Sequence, residues 1–296
     1  MRRSLAAASM LAVCSSAVHA ADGDTARTFK PASAWQADFG DDYCRLARSF
    51  SDGKDTLSLA FERVQPTNSL RMIVVGSGFK VFRSADKLTL ALAPSGGERS
   101  QPFWRSETAD GQQYFNLGEV IMGGAPAATA PPPPYDRAAE QAFAGGVTAL
   151  EITAGLTEPV RIETGALKPP LSVLQQCADD LLTVWGLDAE KHKSMTRAVQ
   201  PADDTSKWLA TGVIGFKDFG KLGGAANQIR IIVGADGKPT SCAVHWASLE
   251  QKTNDAICKG VMEKGSFIPA LDAAGQPMAS LWTVPPSAFM PPFGGT

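Results

Sequence analysis

Histidine is scarce in this chain: three residues in 296, and one of them, His19, falls within the first twenty positions. No C-x-x-C pair, H-E-x-x-H, G-x-S-x-G or P-loop occurs, so no motif points to a metal centre, an activated serine or a nucleotide site. Gly76-Ser77-Gly78 follows an apolar run, but no third glycine opens a helix after it, and it reads as a turn. A block of one charge is also missing. Lysine and arginine number 28 against 30 aspartates and glutamates, for a net charge of −2, which gives no support to nucleic acid or an acidic membrane surface as partner. No apolar stretch reaches the roughly 20 residues needed to cross a bilayer. No catalytic, metal or cofactor residue is therefore assigned.

The first twenty residues have the form of a secretory signal. Arg2 and Arg3 precede an apolar stretch from 5 to 13, and small residues lead to Val18-His19-Ala20, which places cleavage after Ala20. The expected location is an oxidising compartment, a bacterial periplasm, with no membrane span after cleavage. Cys14 lies inside the signal and is not placed for lipidation. Four cysteines remain, Cys44, Cys177, Cys242 and Cys258, an even count that in an exported chain reads as disulfides with three possible pairings. Position along the chain favours Cys44–Cys177 and Cys242–Cys258, the second closing a short loop worth roughly 3 kcal/mol.

Apolar residues make up 44% of the chain, enough for real cores, while 28 glycines and 20 prolines favour strands and turns over long helices. Residues 21–33 are small and polar and are expected to be unordered, with order starting near Trp35. Residues 41–50 and 56–64 read as a hairpin around Ser51-Asp52-Gly53-Lys54. In 56–64, Leu57, Leu59 and Phe61 share one face, and Ser58, Ala60 and Glu62 the other. Further short strands are expected at 70–75, 88–92, 114–121, 150–154 and 160–163. This is the pattern of a β-sandwich or barrel-like domain. Residues 123–134 end in four prolines and read as an exposed loop. Residues 136–144 read as a short helix starting near Asp136. A longer one is expected over 171–187, where Leu171, Leu174, Cys177, Ala178, Leu181, Leu182 and Trp185 fall on one stripe and Gly186 can end the helix. Residues 188–222 read as a linker that becomes an arm of a second domain, with Asp203-Asp204 a solvated turn.

The tail changes period in order. Residues 227–233 alternate as a strand, Asp236-Gly237 is a hairpin turn, and 240–246 alternate with Cys242, Val244 and Trp246 on one face. Residues 248–264 take helical spacing, with Thr253 or Asn254 as N-cap. A last strand runs through Met278, Ala279, Ser280, Leu281, Trp282, Thr283 and Val284. Ser241 and His245 share a face but lie roughly 13 Å apart on one strand, too far for a nucleophile–base pair. His245 faces opposite to Cys242, toward solvent or an interface.

The motifs V-G-A-D-G-K at 233–238, N-D-A-I-C at 254–258, F-I-P-A at 267–270 and G-Q-P at 275–277, in this order over about 205–290, resemble the C-terminal domain of TonB-like energy transducers. Nothing before residue 190 resembles a family we can name. The resemblance implies a ββαβ fold and a sheet edge able to take an extended partner as an added strand. It does not imply energy transduction. The family's N-terminal membrane helix and proline-rich spacer are replaced here by a cleavable signal and a folded domain.

The expectation is an α+β exported protein: a signal at 1–20, a mainly-β domain with a terminal helix at 34–187, and a TonB C-terminal-like domain at 200–296. Its expected role is non-enzymatic binding of a protein or peptide of the cell envelope along Met278 to Val284 by strand addition, where Pro285-Pro286 would limit unwanted pairing. The alternative is an exported hydrolase using carboxylates of the β domain. The sequence leaves the oligomeric state open.

Overall fold

The computed structural model describes residues 26–123, 135–223 and 225–290. The signal-like residues 1–20 and all but the first residue of the 123–134 loop lie outside the described residues. The chain is mixed α+β and mostly β. One large sheet is built from β1 (Arg27–Pro31), β2 (Gln36–Phe39), β3 (Cys44–Ser51), β4 (Thr56–Arg63), β5 (Ser69–Val75), β6 (Lys87–Ala93), β7 (Arg99–Pro102), β8 (Trp104–Glu107), β9 (Gln113–Ile121), β10 (Ala149–Ala154) and β11 (Val160–Ile162). Its order is β7-β6-β10-β11-β1-β3-β4-β5-β9-β8, with β2 added to β3. The two end strands, β7 and β8, are consecutive in the chain with only Phe103 between them, and the Gln101 side chain donates to the Leu117 carbonyl of β9. The sheet is therefore nearly closed.

The segment expected to be unordered at 21–33 contains β1, which joins the two halves of this sheet. It runs parallel to β11 and antiparallel to β3. Two contacts order it against its polar composition. Phe29 is fully buried in the core, and Arg27 pairs with Asp52 and Asp55 of the β3–β4 turn, each at 2.5 Å. Local polarity undercounted the pull of a single buried phenylalanine.

Helix α1 (Arg137–Gly146) is capped by Asp136, which accepts from the Ala139 amide, and α2 (Lys168–Val184) carries Pro169 and Pro170 in its first turn. The expected stripe of α2, Leu171, Leu174, Cys177, Ala178, Leu181 and Leu182, is buried. Cys177 is bonded to Cys44 of β3. Beside that staple lies a buried charge network. Arg63 of β4 pairs with Glu140 of α1, both side chains fully buried, and Glu140 also accepts from Tyr135 and, at 2.6 Å, from Gln175 of α2. This network ties strand, α1 and α2 together.

After α3 (Ala189–Lys193) and β12 (Gln200–Pro201), the tail folds as β13 (Gln228–Val233), β14 (Pro239–His245), α4 (Gln251–Lys264), β15 (Phe267–Ile268), β16 (Ala270–Leu271), β17 (Pro277–Met278) and β18 (Ser280–Val284). Its main sheet is β14-β13-β18, all antiparallel, and separate from the large sheet. Gly237 turns β13 into β14 at φ +78°, where an added Cβ would press on the Phe267 carbonyl. Cys242 is bonded to Cys258 of α4. A second core gathers Ile229, Ile231, Val233, Val261, Phe267 and Trp208. Trp208, from the stretch read as a linker, is a central member, with its indole N–H donated to Asp203 at 2.6 Å. Asp203, in the exposed turn expected there, also holds that core through this bond.

Three local expectations are corrected. Helix α4 begins after Glu250, and Thr253 and Asn254 are buried in its first turns rather than capping it; Asn254 Oδ1 accepts from the buried Asn227 amide at 2.9 Å. Trp246 leaves the face of Cys242 and Val244 because its own φ of +49° turns the chain. The strand expected from Met278 to Val284 is split at Ala279, Met278 pairing with Ala270 and Ser280 to Val284 pairing with β13.

Removing one partner of a buried ion pair leaves the other charge without compensation. Glu140→Ala is expected to lower unfolding free energy by about 3–5 kcal/mol in equilibrium urea unfolding. A loss below about 1 kcal/mol, the range of exposed pairs, would show that the network does not hold the first core together.

Candidate functional site

Strand alternation gives the tail sheet two working faces. Ile229, Ile231, Cys242, Val244 and Trp282 pack in the second core with α4. The opposite face meets the first unit. Ile232 and Leu281 pack on Leu182 and Leu187 beside Trp185, the end of α2. The Arg230 guanidinium lies 3.7 Å from the Trp185 ring centroid, and the buried His245 ring is 5.9 Å from that same indole. His245 is therefore interface-side, the second of the two orientations its register allowed.

On the large sheet, the register brings Asp38, Arg45, Glu62, Arg71 and Glu119 side by side across β2, β3, β4, β5 and β9. The signs alternate along this row, so each neighbour pair attracts. Glu62 pairs with Arg45 at 2.5 Å and with Arg71 at 3.4 Å. Arg71 reaches the Tyr114 hydroxyl at 2.7 Å and lies 4.5 Å from the Trp246 ring centroid of the tail. Alternation put Glu62 on the face away from the first core, where exposure would be usual, yet it is 1% exposed.

Between this row and the tail opens a cleft of about 380 Å³ with a polar lining, bounded by Glu62, Gln65, Thr67, Arg71 and Glu119 on one side and by Trp246, Thr283 and Pro285 on the other. A second cavity of about 190 Å³ continues along β18, where Gln65 and Thr67 again form one wall and Ser280, Leu281 and His192 the other. The two make a groove that follows β18. That strand pairs with β13 on one side only among the described residues.

The residues expected to bind a partner divide around this groove. Ser280, Leu281 and Thr283 line it; Trp282 points into the second core against Trp208 and Phe267; Met278 is buried beside Ala270. Sequence reasoning missed His192, Trp185, Arg71 and Trp246. The charges of Glu62 and Arg71 inside otherwise apolar strands were the available signal, but only the register shows that they meet.

The interface is short of hydrogen bonds. Among the described residues thirteen buried side-chain N or O atoms have no hydrogen-bond partner. Six belong to the cleft residues Glu62, Arg63, Ser69, Arg71, Trp246 and Thr283, and four to Arg230 and His245. Burial, followed by the nearby Arg230 charge, pushes the His245 imidazole down to about 4, with Asp42 opposing weakly from 3.9 Å beyond Arg230. Burial likewise lowers Arg230 and His192 from their ordinary values.

No family model matches the chain, and neither a curated protein nor a solved structure matches it.

A histidine held neutral in the folded state stabilises that state fully only above its unfolded value of 6.5, and the contribution is lost as pH falls from there through about 4. The gap is worth about 3 kcal/mol. Wild type is expected to lose about that much more stability than His245→Gln between these pH values in urea unfolding. Parallel pH profiles for the two proteins would contradict the burial of a neutral imidazole at this interface.

Proposed function

We propose that the protein is an exported binding protein of the bacterial cell envelope, with a TonB C-terminal-like tail that takes an extended peptide segment of a partner protein along the outer edge of β18. The observation that carries this reading is the groove itself. A strand edge with no partner strand among the described residues is bordered by a polar cleft, and the opposite wall is formed by β4, β5, β9 and the β4–β5 loop of the other unit. Strand addition supplies main-chain hydrogen bonds for affinity, while the groove walls select side chains. Arg71, Trp246 and Thr283 on those walls offer polar groups to such a segment. Two disulfides fit an oxidising compartment, and no described helix is long and apolar enough to cross a membrane. The tail resembles the transducer module in the order of its sequence motifs, which supports edge recognition without supporting force transmission. Pro285 and Pro286 end the edge and restrict how far a partner strand can run.

Peptides selected from a displayed library against the full chain are expected to slow amide hydrogen exchange of residues 280–284 by tenfold or more, read by peptide-level mass spectrometry. Selected peptides that bind while leaving exchange in β18 unchanged, with protection elsewhere, would refute the edge as the binding site.

A further inference from the structure

At the smaller end of the groove two residues that are distant in sequence form a nucleophile–base arrangement. Ser280 opens β18 and His192 lies on α3. His192 Nε2 is 2.9 Å from Ser280 Oγ, and its Nδ1 is 2.7 Å from the main-chain carbonyl oxygen of Asp188. A carbonyl oxygen can only accept, so Nδ1 carries the proton. In the neutral ring Nε2 then has a free lone pair, and the Ser280 hydroxyl donates to it. This is the tautomer a general base requires, and a main-chain carbonyl fills the orienting position that a carboxylate takes in the usual triads. Burial, opposed by the Asp188 hydrogen bond, lowers the His192 pKa, which favours the unprotonated ring.

We propose that Ser280 is an acyl-accepting nucleophile activated by His192, and that the site acts on esters of short acyl groups. This goes beyond the peptide-binding reading and does not rest on it. The substrate class follows from the space: about 190 Å³ lies below the roughly 300–1,000 Å³ of pockets for drug-sized ligands, so a short acyl group enters while the alcohol portion stays outside. Ser280 itself is 2% exposed, which limits access to groups small enough to pass the cavity. Gln65 and Asn68, whose side chains carry amide donors, line this same cavity, the type of group that steadies an oxyanion. In the first half-reaction Ser280 Oγ bonds to the acyl carbon, the bond from that carbon to the alcohol oxygen breaks, and the serine proton passes through His192 Nε2 to the departing alcohol. In the second, water attacks the acyl carbon, gives one proton to Nε2, and releases the carboxylic acid as the proton returns to Oγ.

The test incubates the full chain with p-nitrophenyl acetate, quenches in acid and maps acetylated peptides by mass spectrometry. Acetyl on Ser280 is expected in wild type and absent from Ser280→Ala. His192→Gln is expected to slow the labelling on the order of 10²-fold, the lower range for general-base catalysis. Wild-type protein without acetyl on Ser280 overturns the proposal, and this arm needs no variant to fold. Labelling at an equal rate in a folded His192→Gln also overturns it, because the hydrogen bond would then be structural. Acetylation of Ser280 is read in wild type without any peptide, and the binding reading is tested by amide exchange along β18, so the two readings fail separately.

Discussion

The placement of α2 is the constraint from which the rest of the architecture follows. It is anchored on two sides, by the Cys177–Cys44 bond to β3 and by Gln175, which joins the buried Arg63–Glu140 pair. The bond closes a loop of 133 residues and removes much of the freedom of the unfolded chain. The charge network adds direction, because a guanidinium and a carboxylate in a core are stable only in a geometry that satisfies both. With the helix fixed, its end presents Leu182 and Trp185 as a platform, and Ile232, Leu281 and Arg230 of the tail settle on it. The direction of β18, and hence the groove beside it, is a consequence of where α2 ends.

What covers the second face of the tail sheet is therefore a mixture of apolar contact and cation–π contact. Arg230 over Trp185 and Arg71 over Trp246 are reciprocal: each unit offers a guanidinium to an indole of the other. Such contacts contribute about 0.5–2 kcal/mol each and tolerate some sliding. Among the described residues no protein group hydrogen-bonds Arg230 Nε and Nη1, the His245 ring nitrogens, Trp246 Nε1 or Thr283 Oγ1. The ring contacts, rather than direct side-chain hydrogen bonds at these atoms, set the register of this interface.

Much of this was legible in the residues. The hairpin of β3 and β4, the stripe on α2, the Asp-Gly turn and the strand, strand, helix start of the tail follow from local periodicity and turn chemistry, which a chain displays over a few residues. The disulfide pairs found, Cys44 with Cys177 and Cys242 with Cys258, are those that chain position favoured. The illegible parts depend on contacts across the chain. Strand β1 is ordered by Phe29 meeting a core assembled from distant segments. Trp208 looked like part of a linker because its partners Phe267 and Trp282 come much later in the sequence. The charged row needed the register of five strands, and a one-residue slip in any of them would have scattered it. Ser280 and His192, 88 residues apart, share no local signal.

The two histidines differ in what holds their rings. His245, with Ser241 and Ser248 nearby in sequence, is buried against Trp185 beside Arg230, where burial and like charge disfavour its protonated form. His192 had no suggestive neighbours, yet its short helix returns a main-chain carbonyl to Nδ1 and aims Nε2 at a hydroxyl on another element. His245 is buried and His192 only partly so, but the decisive difference lies in hydrogen bonding. A ring with both nitrogens unpartnered contributes packing and a pH-dependent cost. A ring with one nitrogen fixed as donor and the other facing a hydroxyl has a defined tautomer and a proton to receive. Proximity in sequence singled out the first; only folding could single out the second.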